Sequence, residues 1–417
     1  MMPADWRPLR WPAAWTDPAA LELLAGTGIN CLIMGPGKMA EQAARAGFRV
    51  FSPGVAPEGL APEGVVLLEG VWPGIRMSRF GAHDAVSAGP TGEPWVDSNV
   101  WPVRLALARA PSAMVWLRAV PADNNETRAE AFLATMADAA VAGCTWIVTL
   151  SDALAVSLAQ RDPAALVTWK RITDAAAFVA ARRGWPGYVA EAVSGVVSDF
   201  VSPRSREVLN LMTRGGQQYR VLLKGGVAEG SFDGLKAAVY LDAEVPSPAL
   251  RRELERFVRA GGLLITGPKW GAVDGGSAAA STHPRFALYR VGRGSVAVGI
   301  EQMTDPWVLA GDTAILISHR HDLLRFWNGG PLNASYLSLK VPARVSAKRR
   351  SQAVVQVAFY GAGAADRSVR IAGSYQSARI ATFGEPVMRA AKAVQQEGGV
   401  EIHLPGNARY VAVELEG

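Results

Sequence analysis

The feature that most constrains the fold is the alternation of short apolar runs with helical patterns along the first three quarters of the chain. Continuous apolar runs occupy residues 29–34, 65–68, 113–117 and 146–150. Such runs are typical of strands buried on both faces, and the helices between them predict a parallel sheet. With 417 residues, 49% of them hydrophobic, the chain has ample material for large cores, which excludes a disordered or fibrous protein.

Three domains are predicted from these patterns. Residues 1–186 contain six or seven strand–helix units without a dinucleotide-binding fingerprint, which favours an α/β domain resembling a (β/α) barrel. This region is shorter than the roughly 250 residues typical of that fold, so we expect missing or reduced helices.

The pattern restarts near residue 187 and changes again near residue 333. Residues 187–332 predict a doubly wound, flavodoxin-like α/β domain with helices over 204–214, 247–260 and 306–327. Over 333–417 the apolar period becomes two and short strands alternate with glycine-rich turns. This region is therefore predicted to be a small antiparallel β-sandwich.

Two segments of the middle region carry a family resemblance. The stretches GLKAAVYLD (234–242) and LERFVRAGGLLIT (254–266) resemble the glutamine-amidotransferase-like domain. In multidomain glycoside hydrolases such as the family 42 beta-galactosidases, that domain follows a catalytic barrel and serves assembly. The whole chain resembles a divergent relative of this architecture, which implies a saccharide substrate and a homo-oligomer formed through the middle domain. The resemblance is weak for the catalytic motifs of the barrel.

The middle domain itself is predicted to be non-catalytic. An amidotransferase needs a cysteine on a sharp strand-to-helix turn, and the corresponding turn over 265–270 contains none. The two cysteines, Cys31 and Cys144, both lie in the first region, where buried thiols are expected. Glutamine hydrolysis by the usual thiol is therefore excluded, and a supporting role is predicted.

The densest polar stretch of the chain lies over 89–101. Trp95 and Trp101 offer flat apolar faces, while Asp97 and Asn99 offer hydrogen bonds to hydroxyls, the combination that a sugar ring requires. We therefore predict that Trp95, Asn99 and Trp101 bind substrate. The alternative is that residues 97–99 cap the helix that follows them, a position that Asp, Ser and Asn favour.

Further candidates follow the predicted barrel strands, where barrel active sites lie. Glu69 and Asp152 come directly after strands and are predicted to be catalytic, while Trp72 and Arg118 are predicted to contact substrate. The alternatives are an ordinary loop residue for Glu69, a helix cap for Asp152 and a structural ion pair for Arg118.

Glycoside hydrolysis requires a pair of carboxylates. Glu69 and Asp97 form the first pair, with Asp152 in reserve. Glu69, flanked by Leu68 and Trp72, is predicted to be the protonated acid, and Asp97 the nucleophile or base. The alternative is a non-catalytic saccharide-binding or assembly protein that keeps the architecture without the activity.

The 13 tryptophans are concentrated in the first region, with ten before residue 186. Trp116, Trp146 and Trp169 lie within strands or a helix, so we expect them in the core. Trp72 and Trp95 lie in loops after strands and Trp101 at a helix start, which makes these three the predicted stacking surfaces for a sugar.

Composition limits the other partners. A net charge of +6, with no dense basic run beyond 348–350, does not favour nucleic-acid binding. No run of about 18 apolar residues predicts a membrane span. The N-terminal residues show no signal-peptide pattern, so a cytoplasmic location is expected by default. His319 and His321 do not share a helix face, and we expect neither a metal nor a cofactor.

Overall fold

The protein is described by a computed structural model over residues 5–52, 64–76, 78–80, 85–87, 95–182, 188–280, 282–317, 324–327, 335–342, 352–361 and 367–417. It is a mixed α/β chain with several separate sheets. Within these residues no helix is both long and apolar enough to cross a membrane.

The first region alternates strands and helices near its two ends, while several short strands follow one another in its middle. Its strands are β1 (Pro8–Arg10), β2 (Cys31–Ile33), β3 (Arg49–Phe51), β4 (Val65–Glu69), β5 (Gly74–Arg76), β6 (Ser78–Phe80), β7 (Ala85–Ser87), β8 (Trp95–Asp97), β9 (Met114–Arg118) and β10 (Thr145–Trp146). Its helices are α1 (Lys38–Arg45), α2 (Val100–Arg109), α3 (Ala129–Ala142), α4 (Asp152–Ala159) and α5 (Pro163–Ala181), preceded by a 3-10 helix over Pro18–Leu24.

Six of these strands form one parallel layer. The sheets β1-β2-β3 and β10-β9-β4 are joined by a parallel bridge between Leu9 and Val148. Phe51 on β3 and Trp116 on β9 are four strands apart, which would separate them by about 19 Å in a flat sheet. Their ring centroids are only 5.8 Å apart, so the layer curls tightly around an apolar interior. In the described part of the chain no pairing joins β3 to β4, so closure into a barrel is not confirmed.

Helices cover the outer face of this layer. Leu9, Leu32 and Leu117 point outward from β1, β2 and β9 and belong to one buried cluster with Phe132 of α3 and Ile172 of α5. The helix α5 begins where predicted, because the Asp162 side chain accepts the amide of Ala165 and a proline occupies its first turn. The curled sheet therefore has apolar packing on both sides.

The middle region is doubly wound. Its elements are β12 (Ser194–Ser198), α6 (Pro203–Arg214), β13 (Tyr219–Leu223), β14 (Ala237–Tyr240), α7 (Pro248–Arg259), β15 (Leu263–Thr266), β16 (Ser277–Ala278), β17 (Phe286–Val291), β18 (Gly294–Gly299) and α8 (Pro306–Ile317), with 3-10 helices over Lys224–Gly226 and Pro268–Trp270. The strand order is β13-β12-β14-β15-β18-β17-β16, with the first five strands parallel. Residues of α6 and α8 pack on one face and residues of α7 on the other.

The last region contains two antiparallel sheets that share one core. Its strands are β11 (Tyr188–Ala190), β19 (Leu324–Trp327), β20 (Ser335–Pro342), β21 (Gln352–Phe359), β22 (Arg367–Ala372), β23 (Ser377–Thr382), β24 (Arg389–Ala390), β25 (Ala393–Gln396), β26 (Gly399–Leu404) and β27 (Tyr410–Glu416). One sheet is β11-β20-β21-β27-β23-β24 and the other is β19-β22-β26-β25. Val355 and Val413 of the first meet Val369 and Ile402 of the second in a buried core, the arrangement of a β-sandwich.

Two short strands of these sheets come from earlier in the chain than predicted. The helix predicted over 306–327 ends at Ile317, and Leu324–Trp327 instead forms a strand antiparallel to β22. Similarly, Tyr188–Ala190 pairs with β20. The helix prediction was therefore wrong over 324–327, because an apolar run of that length suits either element until its pairing partner is known.

The close contact between β18 and the end of α7 yields a stability prediction. A methyl group on Gly294 would lie 2.1 Å from the backbone oxygen of Val258 and 2.3 Å from that of Gly262. Because backbone atoms must shift to relieve this overlap, we expect Gly294→Ala to lower the free energy of unfolding by about 1–3 kcal/mol. Urea denaturation measures this change.

The matched control is Gly225→Ala, since a methyl group there would meet nothing within 4 Å. Equal stability of the two variants would contradict the close packing of β18 on α7.

Candidate functional site

The candidate site lies at the carboxyl ends of the parallel strands in the first region. Glu69 and Arg118 are the last residues of β4 and β9, which pair in parallel and place them side by side. Arg118 Nε donates to Glu69 Oε2 at 2.7 Å, and its Nη2 contacts the other carboxylate oxygen. Both side chains are substantially exposed, with 55% of Glu69 accessible. The pair forms a charged rim at this edge of the sheet.

This geometry changes the role expected of Glu69. Guanidinium groups only donate hydrogen bonds, so both oxygens of Glu69 act as acceptors. A protonated carboxyl group would place its own O–H against an arginine N–H. The contact with Arg118 therefore suits a nucleophile, a base or a hydroxyl acceptor better than the protonated acid that the sequence predicted.

Asp97 is brought toward Glu69 through its neighbour Asn99. Asp97 ends β8, where its Cα partner on the antiparallel strand β5 is Gly74. Two residues later, the Asn99 side chain accepts the amide of Val71 at 2.9 Å and donates to the carbonyl of Val71 at 2.9 Å. Glu69 lies two residues before Val71, and Asp97 lies two residues before Asn99. The double hydrogen bond therefore holds the two segments that carry the candidate carboxylates side by side.

Asn99 itself does not meet the description of a substrate ligand. The residue is 1% exposed, and its side-chain nitrogen also donates to Asp138 Oδ2 at 2.8 Å. Nor does its side chain cap the following helix α2, which was the alternative interpretation. The amide of Asn99 is used within the protein, between Val71 and Asp138.

Asp138 is a fully buried carboxylate on α3 and was not predicted. It accepts hydrogen bonds from the Ser98 hydroxyl at 2.7 Å, the Asn99 backbone amide at 3.0 Å and the Tyr360 hydroxyl at 2.6 Å, in addition to the Asn99 side chain. Burial raises the pKa of Asp138, and these donors counteract only part of that effect. A sequence signal did exist, because Asp138 is the one charged residue within the apolar stretch 131–142.

Two of the tryptophans predicted to stack on sugars are used in packing. Trp72 is half-buried against the core and makes edge contacts with Phe132 at 5.5 Å and Trp146 at 5.9 Å. Trp101, in the first turn of α2, packs against the core of the middle region. The side chain of Trp95 lies outside the described residues, as do His319 and His321. Trp95 therefore stays a prediction, while Trp72 and Trp101 have structural roles.

Asp152 lies on a different part of the sheet edge. It occupies the first turn of α4 and is exposed, while its neighbour Ser151 is the residue that caps the helix by accepting the amide of Leu154. Its position after β10 keeps it in reserve as a predicted carboxylate of the site. In the part of the chain that the structure describes, no group of three or more His, Cys, Asp or Glu residues is suited to a metal ion.

A second polar cluster lies at the strand ends of the middle region. Lys224 Nζ, just after β13, lies 2.8 Å from Asp199 and 2.7 Å from Asp242, which follow β12 and β14. Hydrogen bonds with Asp199 and then Asp242 raise the pKa of Lys224. The cavity beside Asp242 measures about 20 Å³, room for about one water molecule. Although this is where doubly wound sheets bind ligands, the space suits water rather than a saccharide.

Comparison with known proteins finds similar folds among solved glycoside hydrolases. No family model and no curated protein matches the chain. Among solved structures, it is similar to alpha-L-fucosidase isoenzyme 2 from Paenibacillus thiaminolyticus, with a TM-score of 0.50 and 11% identity over 76% of this chain and 62% of that one. It is also similar to a rhamnosidase from Novosphingobium sp. PP1Y, with a TM-score of 0.50 and 11% identity over 90% of this chain and 38% of that one.

A beta-galactosidase from Bacillus circulans sp. alkalophilus is more distant, with a TM-score of 0.43 and 11% identity over 70% of this chain and 52% of that one. These neighbours are glycoside hydrolases, the class that the resemblance of the whole chain implied. At this identity the likeness shows the fold alone. The chain spans less than two thirds of the length of each of these three enzymes.

The buried carboxylate yields a pH prediction. Because the pKa of Asp138 is raised in the folded protein, the folded state binds a proton more tightly than the unfolded state does. Its contribution to stability is therefore complete below an unfolded pKa of about 4 and is lost as the pH rises through the folded pKa. The free energy of unfolding should therefore decline as the pH rises through this range. We expect Asp138→Asn to remove the part of the decline that Asp138 causes, which the slope of the free energy of unfolding against pH measures.

Asp174→Asn is the control for that slope, since Asp174 is an exposed carboxylate paired with Lys170. Identical slopes for wild type and Asp138→Asn would contradict the raised pKa.

Proposed function

We propose that this chain is a glycoside hydrolase-like, carbohydrate-active protein that hydrolyses an oligosaccharide or glycoside with a carboxylate pair at the edge of its curled parallel sheet. The observation that carries this proposal is the double hydrogen bond between Asn99 and Val71, which holds the segments bearing Glu69 and Asp97 together. Carboxylates at the carboxyl ends of parallel strands are where barrel enzymes place their chemistry. The fold shared with a fucosidase and a rhamnosidase supports a saccharide as substrate.

The roles proposed for the two carboxylates are the reverse of those predicted from the sequence. Glu69, fixed by Arg118, is proposed as the nucleophile or base, because both of its oxygens accept hydrogen bonds. Asp97, half-buried at the end of β8, is then proposed as the acid that protonates the leaving oxygen. Arg118 would also be placed to donate to a substrate hydroxyl, and Trp95 remains the proposed stacking surface.

The proposed architecture is a reduced (β/α) barrel-like domain supported by two others. The curl of the six-stranded layer supports this description. The middle domain is proposed to be an amidotransferase-like support without catalysis, since its turn after β15 carries no cysteine. Self-association through that domain, which the family resemblance implies, stays a prediction.

One observation favours the alternative of a saccharide-binding protein without activity. Arg118 contacts both oxygens of Glu69, and a carboxylate engaged in this way can serve purely as a structural or ligand-binding group. In that case saccharides would bind at the rim and remain intact.

A panel of chromogenic glycosides tests the proposal. We expect turnover of at least one member by the wild type, and a loss of about a hundredfold or more in kcat for Glu69→Gln and for Asp97→Asn. The loss is expected because each variant keeps the size of the side chain and removes its charge or its proton.

The matched control is Glu22→Gln, which breaks another exposed Glu–Arg pair of the same region, with Arg161 at 2.8 Å. Full activity of both site variants would overturn the carboxylate pair. Saccharide binding by calorimetry without turnover on any substrate would instead support the binding protein.

A further inference from the structure

One buried polar cluster joins the candidate site to the C-terminal β-domain. The Asp138 cluster consists of Ser98, Asn99, Asp138 and Tyr360. Tyr360 follows β21, the strand of the C-terminal sheet against which α3 packs, and its hydroxyl also lies 3.2 Å from the Ser98 hydroxyl. Ser98 and Tyr360 are 262 residues apart in sequence, so only the docking of the domains brings them together.

From this cluster a continuous series of contacts reaches Glu69. Asn99 holds Val71 on one side, as described above, while the amide of Gly70 donates to the carbonyl of Arg118 at 2.9 Å. A methyl group on Gly70 would lie 2.5 Å from Asn99 Oδ1, so the backbone passes directly against the asparagine. The segment carrying Glu69 is therefore fixed between β9 and Asn99.

The same cluster fixes the segment carrying Asp97. Ser98 and Asn99 follow Asp97 directly, and both donate to the Asp138 carboxylate. The residue that follows Asp97 is therefore hydrogen-bonded to Asp138 on α3. A shift of Asp138 would affect both candidate carboxylates, since both segments are held through Asn99, which Asp138 binds.

We propose that Asp138 is the positioning residue of the carboxylate pair and that Tyr360 makes the C-terminal β-domain part of the saccharide site. This inference rests on the proposed function. It goes beyond it by assigning the third domain a role in holding the reacting groups.

The position of Tyr360 is itself well defined. Its carbonyl accepts from Arg409 Nη1 at 3.1 Å, and the amide of Phe359 donates to the carbonyl of Arg409 at 2.9 Å. Its ring belongs to a buried cluster with Ala137 and Val141 of α3 and Val100 of α2. The hydroxyl is therefore presented to Asp138 by a rigid strand end.

Tyr360→Phe is the sharpest test, because it removes one hydroxyl and keeps the ring that packs between the domains. We expect the amides of Val71 and Asn99 to exchange with solvent about tenfold faster in this variant, since a charge-assisted hydrogen bond to the carboxylate is lost. We also expect kcat on a substrate of the wild type to fall about tenfold while KM stays nearly constant, because the reacting groups are displaced and the rest of the rim is not. Ser98→Ala removes another donor to the same oxygen and should have the same effect.

Tyr410→Phe is the matched control. Tyr410 is a buried tyrosine of the same domain and the same interface, and its hydroxyl accepts from Gln356 at 2.8 Å. This variant loses a buried hydroxyl of the same kind without touching the Asp138 cluster, so exchange at Val71 and Asn99 and the value of kcat should stay those of the wild type.

Equal exchange at Val71 and Asn99 in Tyr360→Phe and Tyr410→Phe would overturn the proposal, as would an equal fall in kcat in both. A wild-type chain that neither binds nor hydrolyses any saccharide would contradict the proposed function instead. The exchange comparison needs no substrate, so in that case it would still show whether Tyr360 holds the two segments.

Discussion

The buried carboxylate of Asp138 is the physical constraint that links the first region of the chain to the last. An ionised carboxylate removed from water is costly unless donors surround it. Here the donors come from two distant parts of the chain, the loop at 98–99 and Tyr360 after β21, and both meet the carboxylate on helix α3. The packing of α3 on the sheet and on the C-terminal domain is therefore coupled through one hydrogen-bonded group.

The curled parallel sheet of the first region shares its covering helices with its neighbours. Helix α3 is buried along nearly its whole length, because Phe132 and Met136 face the parallel sheet while Ala137 and Ala140 face the C-terminal sheet. Its alanines allow both neighbours to approach closely. Helix α2 is shared in the same way, since Trp101 packs on the middle domain. The neighbouring regions thus cover helix faces that would otherwise be exposed.

The elements that could be predicted from the sequence are those whose ends are set by neighbouring residues. Helices α6 and α7 begin within one residue of their predicted starts, because Ser202 and Ser247 cap them and a proline follows each serine. The strand at 324–327 could not be predicted in the same way, since its identity depends on pairing with β22, more than forty residues later. Asn99 shows most clearly what the local sequence cannot predict. Its position was compatible both with a helix cap and with a sugar ligand, whereas its side chain contacts Val71 and Asp138 on a distant helix.

Several tryptophans have a structural role instead of the sugar-stacking role that their number first indicated. Trp15 donates its indole N–H to Ala155, Trp146 to Ala119 and Trp169 to Leu23, each across at least 27 residues of sequence. Each therefore fills apolar space and joins distant segments at the same time, which a small curled sheet with few helices requires. These three tryptophans are therefore part of the core, and Trp95 remains the proposed stacking surface. At the sheet edge, the exposed Glu69–Arg118 pair presents an acceptor and a donor on adjacent strands, the two kinds of group that the proposed saccharide substrate would need.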